Sequence, residues 1–209
     1  MTTSDSPRVL ILGIGNVLWA DEGFGVRTVE QLHRTYRFPA NVRLLDGGTQ
    51  GLYLLEHVQD TDLLIVFDAI DYGLRPGTLK MIRDADVPRF MGAKKMSLHQ
   101  AGFEEVLSVA DLTGRLPRHL ALIGVQPVEL EDYGGSLRPA VKAQMEPAIG
   151  LALECLTEFD IAFEKRAEPL PPDAGLTGRE LDIDTYETSR PAAAEAFRHG
   201  DIRFLATDN

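Results

Sequence analysis

The chain has little cysteine, no long apolar run and a deficit of positive charge, and each shortage removes a class of protein. Its one cysteine, Cys155, forms no internal disulfide, which excludes a disulfide-stapled secreted scaffold. The longest apolar stretches, such as Val9 to Leu12 and Leu63 to Phe67, fall far below the ~20 residues that cross a bilayer, so no transmembrane helix and no membrane partner is expected. The opening MTTSDSPR lacks the basic-then-apolar pattern of a secretory signal, and a cytoplasmic location is expected. Lysine and arginine number 21 against 32 acids, for a net charge of −11. A surface of that sign repels phosphate backbones, and no nucleic-acid partner is expected. The sequence also lacks a Walker loop, a G-x-S-x-G elbow and an H-E-x-x-H helix, which sets aside the commonest nucleotide-binding and hydrolytic motifs. What is present is ordinary globular composition, 44% hydrophobic and 25% charged over 209 residues, the length of one domain with a full core.

Apolar runs and helical periods alternate along the chain. Arg8 to Ile14 is a short apolar run ended by glycines, the mark of a strand buried on both faces of a parallel sheet. Val26, Val29, Leu32 and Tyr36 then recur at helical spacing while Arg27, Glu30, Gln31 and Arg34 fall elsewhere, which predicts an amphipathic helix ending before Pro39. Val42 to Leu45 reads as a second strand, and Thr49 as the cap of a helix carrying Leu52, Leu55 and Val58. Leu63 to Asp68 is the strongest strand, and Gly73 with Pro76-Gly77 turns the chain into a weaker one around Thr78 to Ile82. A helix beginning at Ser97 aligns Phe103, Val106, Leu107 and Ala110; Leu120 to Val125 is a further buried strand. Val141, Met145, Ile149, Ala152, Leu156 and Phe159 then stripe a last helix, with a kink expected at Pro147. The order predicts an α/β fold: three layers, a twisted, mostly parallel sheet with helices on both faces.

The character changes near residue 165. Pro169, Pro171, Pro172 and Pro191 interrupt any period and acids outnumber bases, so the reading is an α/β domain over 1–165 and a polar extension over 166–209, partly helical or disordered.

In an open α/β sheet, ligands gather beyond the carboxyl ends of the strands, and here those positions are acidic. Asp21 and Glu22 follow the first strand, Asp46 ends the second, and Asp68 and Asp71 end the third. Taken singly, each of these residues reads most simply as a turn or helix cap. Gly13-x-Gly15 invites a dinucleotide-binding reading with Asp46 as ribose partner, but Leu18 stands at the third glycine and Asp21 and Glu22 would face the pyrophosphate. A nucleotide- or cofactor-binding α/β module stays as the alternative. Cys155 lies inside the last helical stripe and reads as a small buried hydrophobe. Among five histidines, His33, His57, His119 and His199 read as surface residues, whereas Ser97-Leu-His99-Gln100 fits a capping box that puts His99 in a first helical turn. Positive potential there favours the neutral imidazole, the form that binds a metal. Two carboxylates and an imidazole suit Zn, Ni, Fe or Mn, although spacings of 46 and 31 residues between Glu22, Asp68 and His99 match no local metal motif.

A resemblance narrows the choice. Gly13-x-Gly15-Asn16-x-Leu18-x-x-Asp21-Glu22-Gly23-x-Gly25, Asp46-Gly-Gly-Thr49, Phe67-Asp68-Ala69, Pro76-Gly77-Thr78, Ser97-x-His99-Gln100 and Gly124-x-Gln126-Pro127 occur in that order. Together they resemble the maturation endopeptidases of nickel-iron hydrogenases, from about Arg8 to Phe159. The resemblance implies an endopeptidase that removes a C-terminal peptide from the hydrogenase large-subunit precursor after nickel insertion. Carried onto this chain, it puts the nickel contacts on Glu22, Asp68 and His99 and a further acidic role on Asp46, with nickel delivered by the precursor. Nickel then either positions the scissile bond or polarises its carbonyl and acidifies a bound water. Gln100, where some members carry a carboxylate, is given no chemistry.

Overall fold

The structure, a computed structural model, describes residues 6–88 and 98–189, the side chains of 98–101 excepted. Strand β1 (Val9–Ile14) is buried along its whole length. A 3-10 turn (Ala20–Gly23) leads into helix α1 (Phe24–Thr35), and a two-residue strand β2 (Tyr36–Arg37) follows it. Strand β3 (Val42–Gly48) precedes a second 3-10 turn (Gly51–Leu54) and helix α2 (Leu55–Gln59). Next come β4 (Leu63–Ala69), β5 (Leu79–Arg83), α3 (Leu98–Leu112) and β6 (His119–Val125). Helices α4 (Pro139–Lys142) and α5 (Met145–Glu158), strand β7 (Glu164–Lys165) and helix α6 (Ile183–Ser189) complete the described chain.

The main sheet has the order β3-β1-β4-β6-β5; β3, β1, β4 and β6 are parallel and only the edge strand β5 runs antiparallel to β6. Two apolar clusters form the core, one on each face. Phe24, Val29 and Leu32 of α1 and Met145, Ile149, Ala152 and Leu156 of α5 cover the odd-numbered β1 residues Val9 and Ile11. Val58 of α2 and Phe103, Val106, Leu107 and Ala110 of α3 cover the even-numbered Leu10 and Leu12. The expected three-layer, mostly parallel arrangement is what the chain adopts.

Three local expectations are corrected. The last helical stripe is two helices, broken at Ala143 and Gln144, and Pro147 falls in the first turn of α5. A proline there gives up an amide that has no partner inside the helix, so it starts the helix rather than kinking it. Thr49 caps nothing; Gln50 precedes a 3-10 turn that lacks a side-chain cap. The polar residues of α1 do not form a solvent face: Arg27 and Glu30 are 4% and 6% exposed. The segment 166–189 covers them, with Leu176 and Ile183 packed against the α1 side of the core. Two backbone bonds start its path, from the Arg166 amide to the Thr35 carbonyl at 2.8 Å and from the Leu170 amide to the Arg34 carbonyl at 2.9 Å.

Candidate active site

The carboxyl ends of β1, β3 and β4 lie side by side because these strands are parallel neighbours, with Gly13 opposite Asp46 on one side and Phe67 on the other. Asp46, near the end of β3, therefore lies across β1 from Phe67-Asp68 of β4. Helix α3 runs antiparallel to the strands. Its end lies at the opposite edge, where Gln59 donates to the Thr113 hydroxyl at 2.8 Å. Its beginning faces the Gly51 turn that follows β3, since a Cβ on Gly102 would come within 3.4 Å of the Gly51 Cα. His99 thus occupies the first turn of α3 at the carboxyl edge of the sheet; its side chain and Ser97 lie outside the described residues.

Glu22 sits half-buried in the 3-10 turn, which packs against β4. Gly15 makes that possible, with φ +130 and a position where an added Cβ would lie 1.8 Å from the Glu22 carbonyl oxygen. Only a residue without a side chain lets the end of β1 meet the turn so closely. The preceding Ala20 takes φ 39, a left-handed conformation that costs a non-glycine residue about 1 to 3 kcal/mol. Asp21 holds the turn from the other side. It is fully buried, and its carboxylate accepts the amides of Val128 at 2.8 Å, Glu129 at 2.9 Å and Arg138 at 2.7 Å. Asp21 is thus a bracket between the Glu22 turn and the loop after β6.

Asp68 is 1% exposed, opposite Gly124 of β6. A Cβ on Gly124 would come within 2.0 Å of the Tyr72 hydroxyl, which places that hydroxyl over the strand beside Asp68. Burial, and then the charge of Asp68, push the Tyr72 phenol above its ordinary pKa, so it stays protonated. Asp71 is a turn residue, accepting from the Gly73 amide at 2.9 Å and from the Gln126 side chain at 3.0 Å. Gln126 in turn accepts the Tyr72 and Leu74 amides at 2.7 and 3.0 Å, pinning the loop that carries Tyr72.

Asp46 is half-buried and accepts the Gly48 amide at 2.9 Å. Burial raises its carboxyl pKa above the ordinary value; the Gly48 amide and Arg27 oppose that shift, and Glu30 adds to it. It lines a cleft of about 340 Å³ together with Gly15, Val17, Leu18 and Leu181. Cys155 is buried against Met81 and Arg83, and burial pushes its thiol up, which leaves it a poor nucleophile.

The glycine pattern serves packing rather than phosphate binding. A Cβ on Gly13 would lie 2.4 Å from the Gly25 carbonyl oxygen, and one on Gly25 would lie 2.2 Å from the carbonyl oxygens of Ile14 and Phe67. Sequence reasoning missed the work of Asp21, Gln126 and Tyr72. The Gly124-x-Gln126-Pro127 block marked Gln126, and the adjacent pair Asp21-Glu22 held the signal for the bracket.

A doubly covered, mostly parallel sheet with carboxylates, and among the described residues no phosphate cradle, at its carboxyl edge defines an α/β enzyme with an acidic site. The sequence profile of the hydrogenase maturation proteases matches residues 26–155. HupM of Azotobacter chroococcum mcd 1, a hydrogenase expression and formation protein, is 61% identical over 207 residues, 98% of this chain and 96% of that one. The hydrogenase 2 maturation protease of Escherichia coli K12 is 45% identical over 155 residues, 74% of this chain and 93% of that one. Among solved structures, the hydrogenase maturating endopeptidase HybD from E. coli superposes with a TM-score of 0.73 at 42% identity, covering 77% of this chain and 98% of HybD. The chain belongs to the hydrogenase maturation protease family and is a hydrolase of peptide bonds.

Proposed function

We propose that the protein cuts a C-terminal peptide from a nickel-iron hydrogenase large-subunit precursor after nickel insertion. In this reading Glu22, Asp68 and His99 contact the nickel that the precursor carries, and Asp46 orients the scissile segment. The observation that carries it is the topology, which brings the ends of β3 and β4 with Asp46 and Asp68, the Glu22 turn packed against β4 and the first turn of α3 to one sheet edge. The donor set fits: carboxylates and an imidazole bind nickel and leave positions for the ligands it already has in the substrate. A protein substrate suits the surroundings, since Leu18, Tyr53, Leu74, Val128 and Tyr133 are large, exposed and carried by the loops after β1, β3, β4 and β6.

The test is incubation with nickel-loaded and nickel-free precursor, followed by electrophoretic mobility. Cleavage of the loaded form alone is expected, and Asp68→Ala should lower that rate at least ~100-fold. Equal cleavage of both forms would remove nickel from the reading, and normal processing by Asp68→Ala would remove the site.

A further inference from the structure

The family profile ends at residue 155, and the E. coli relative, itself matched over 93% of its length, leaves about a quarter of this chain outside the match. Yet part of that added chain returns to the candidate site. Leu181, in a 3-10 turn (Arg179–Leu181), lines the cleft whose other walls are Gly15, Asn16, Val17 and Leu18 after β1 and Asp46, Gly48 and Thr49 of the β3 end. Several bonds fix it there. The buried Arg27 guanidinium donates to the Leu181 carbonyl, and Arg34 pairs with the adjacent Asp182 at 2.6 Å. The Glu30 carboxylate accepts the Leu176 and Thr177 amides at 2.7 and 3.1 Å. Buried charged side chains of α1 are thus spent on holding one leucine over a cleft at the sheet edge.

We infer that Leu181 is a specificity-determining residue: it forms the outer wall of a subsite that takes one apolar side chain of the precursor next to the scissile bond. This inference rests on the proposed function. Val17, Leu18, Val26 and Leu181 give the cleft an apolar lining, while Asn16, Asp46 and Thr49 add polar groups suited to a peptide backbone. Because Leu181 lies beyond the stretch that the family profile matches, the extension narrows the choice of precursor without changing the chemistry.

The test is steady-state processing of nickel-loaded precursor by wild type, Leu181→Ala and Leu181→Trp, repeated on precursors whose residues flanking the cut are changed singly to alanine. Melting curves identify any variant that unfolds. Leu181→Trp narrows the cleft and should raise KM at least ~10-fold on the natural precursor with kcat little changed. At one flanking position, alanine in the precursor should restore most of that loss. Leu181→Ala opens the wall and should lower kcat/KM about 10-fold while accepting a larger side chain at the same position. Unchanged KM in a folded Leu181→Trp, or a loss that no precursor change rescues, would overturn the inference while leaving the function intact. A wild-type protein that leaves the precursor uncut would overturn both.

Discussion

Asp21 and Glu22 are neighbours in sequence with different work. The Asp21 carboxylate accepts three backbone amides inside the protein, so Asp21→Ala leaves three donors without their acceptor. At about 1 to 3 kcal/mol for each buried unsatisfied group, the loss is expected to be about 3 kcal/mol or more in urea unfolding. Glu22→Ala should lose processing while costing less than about 1 kcal/mol, since the side chain is only half-buried. Equal destabilisation by the two would show that Glu22 is structural. Asp46 permits a test by pH. Burial raises its carboxyl pKa above the ordinary 3.8, so the charged form is disfavoured in the folded state. The ionised carboxylate therefore costs stability above the raised pKa, and the cost fades as pH falls through that value toward 3.8. Asp46→Asn keeps an oxygen for the Gly48 amide and removes the charge. It is expected to melt no lower than wild type at neutral pH, with the gap closing on acidification, and to process poorly. A variant that melts lower yet processes normally would make Asp46 a turn residue.

At the scale of elements, β1, β4 and β6 were readable because each is buried on both faces along nearly its whole length and shows as an apolar run. The sites at their ends were readable for a related reason, since parallel topology forces every strand-end acid to one edge. Roles were harder to read. Asp21, Asp71 and Asp68 look alike in sequence, and the bonds that make Asp21 a bracket and Asp71 a turn residue come in part from segments far along the chain. The polar residues of α1 misled because their cover comes from a segment far along the chain, which a helical period does not register. The loop from β1 to α1 carries a prediction of its own. Gly15 combines φ +130 with a close approach, whereas Gly23 has ordinary helical φ −72 and its tightest neighbour is the Val17 Cα, 3.0 Å from an added Cβ. Gly15→Ala should therefore cost about 3 kcal/mol and disable processing, and Gly23→Ala clearly less. Urea midpoints of the two variants check the order; a more stable Gly15→Ala would mean that the loop is not held by this contact.

At the scale of the whole molecule, the question is whether the extension is an appendage or part of the fold. Read from sequence, its prolines and acids bury too little apolar surface to offset the ordering cost of about 1 to 2 kcal/mol per residue. The structure meets that cost differently, with Leu176 and Ile183 on the core and a set of polar anchors on α1 and α4. Lys142 and Ser136 hold Glu187, and the Arg27 guanidinium lies 5.1 Å over the Tyr186 ring. Asp182 is the central anchor, since it pairs with Arg34 and also accepts the Thr185 amide at the start of α6. Asp182→Ala leaves the Arg34 guanidinium without its carboxylate and α6 without its cap. Removing one partner of a fully buried pair costs about 3 to 5 kcal/mol, and the 21% exposure of the Arg34 side chain lowers the expected loss to about 2 kcal/mol. Hydrogen exchange should show where the loss falls: the amides of Leu176, Thr177 and Tyr186 should exchange faster, while those of β1, β4 and β6 keep the protection of wild type. Faster exchange across the central strands would mean that the extension and the sheet unfold as one unit. Unchanged exchange at all of these amides would mean that the Arg34–Asp182 pair anchors nothing.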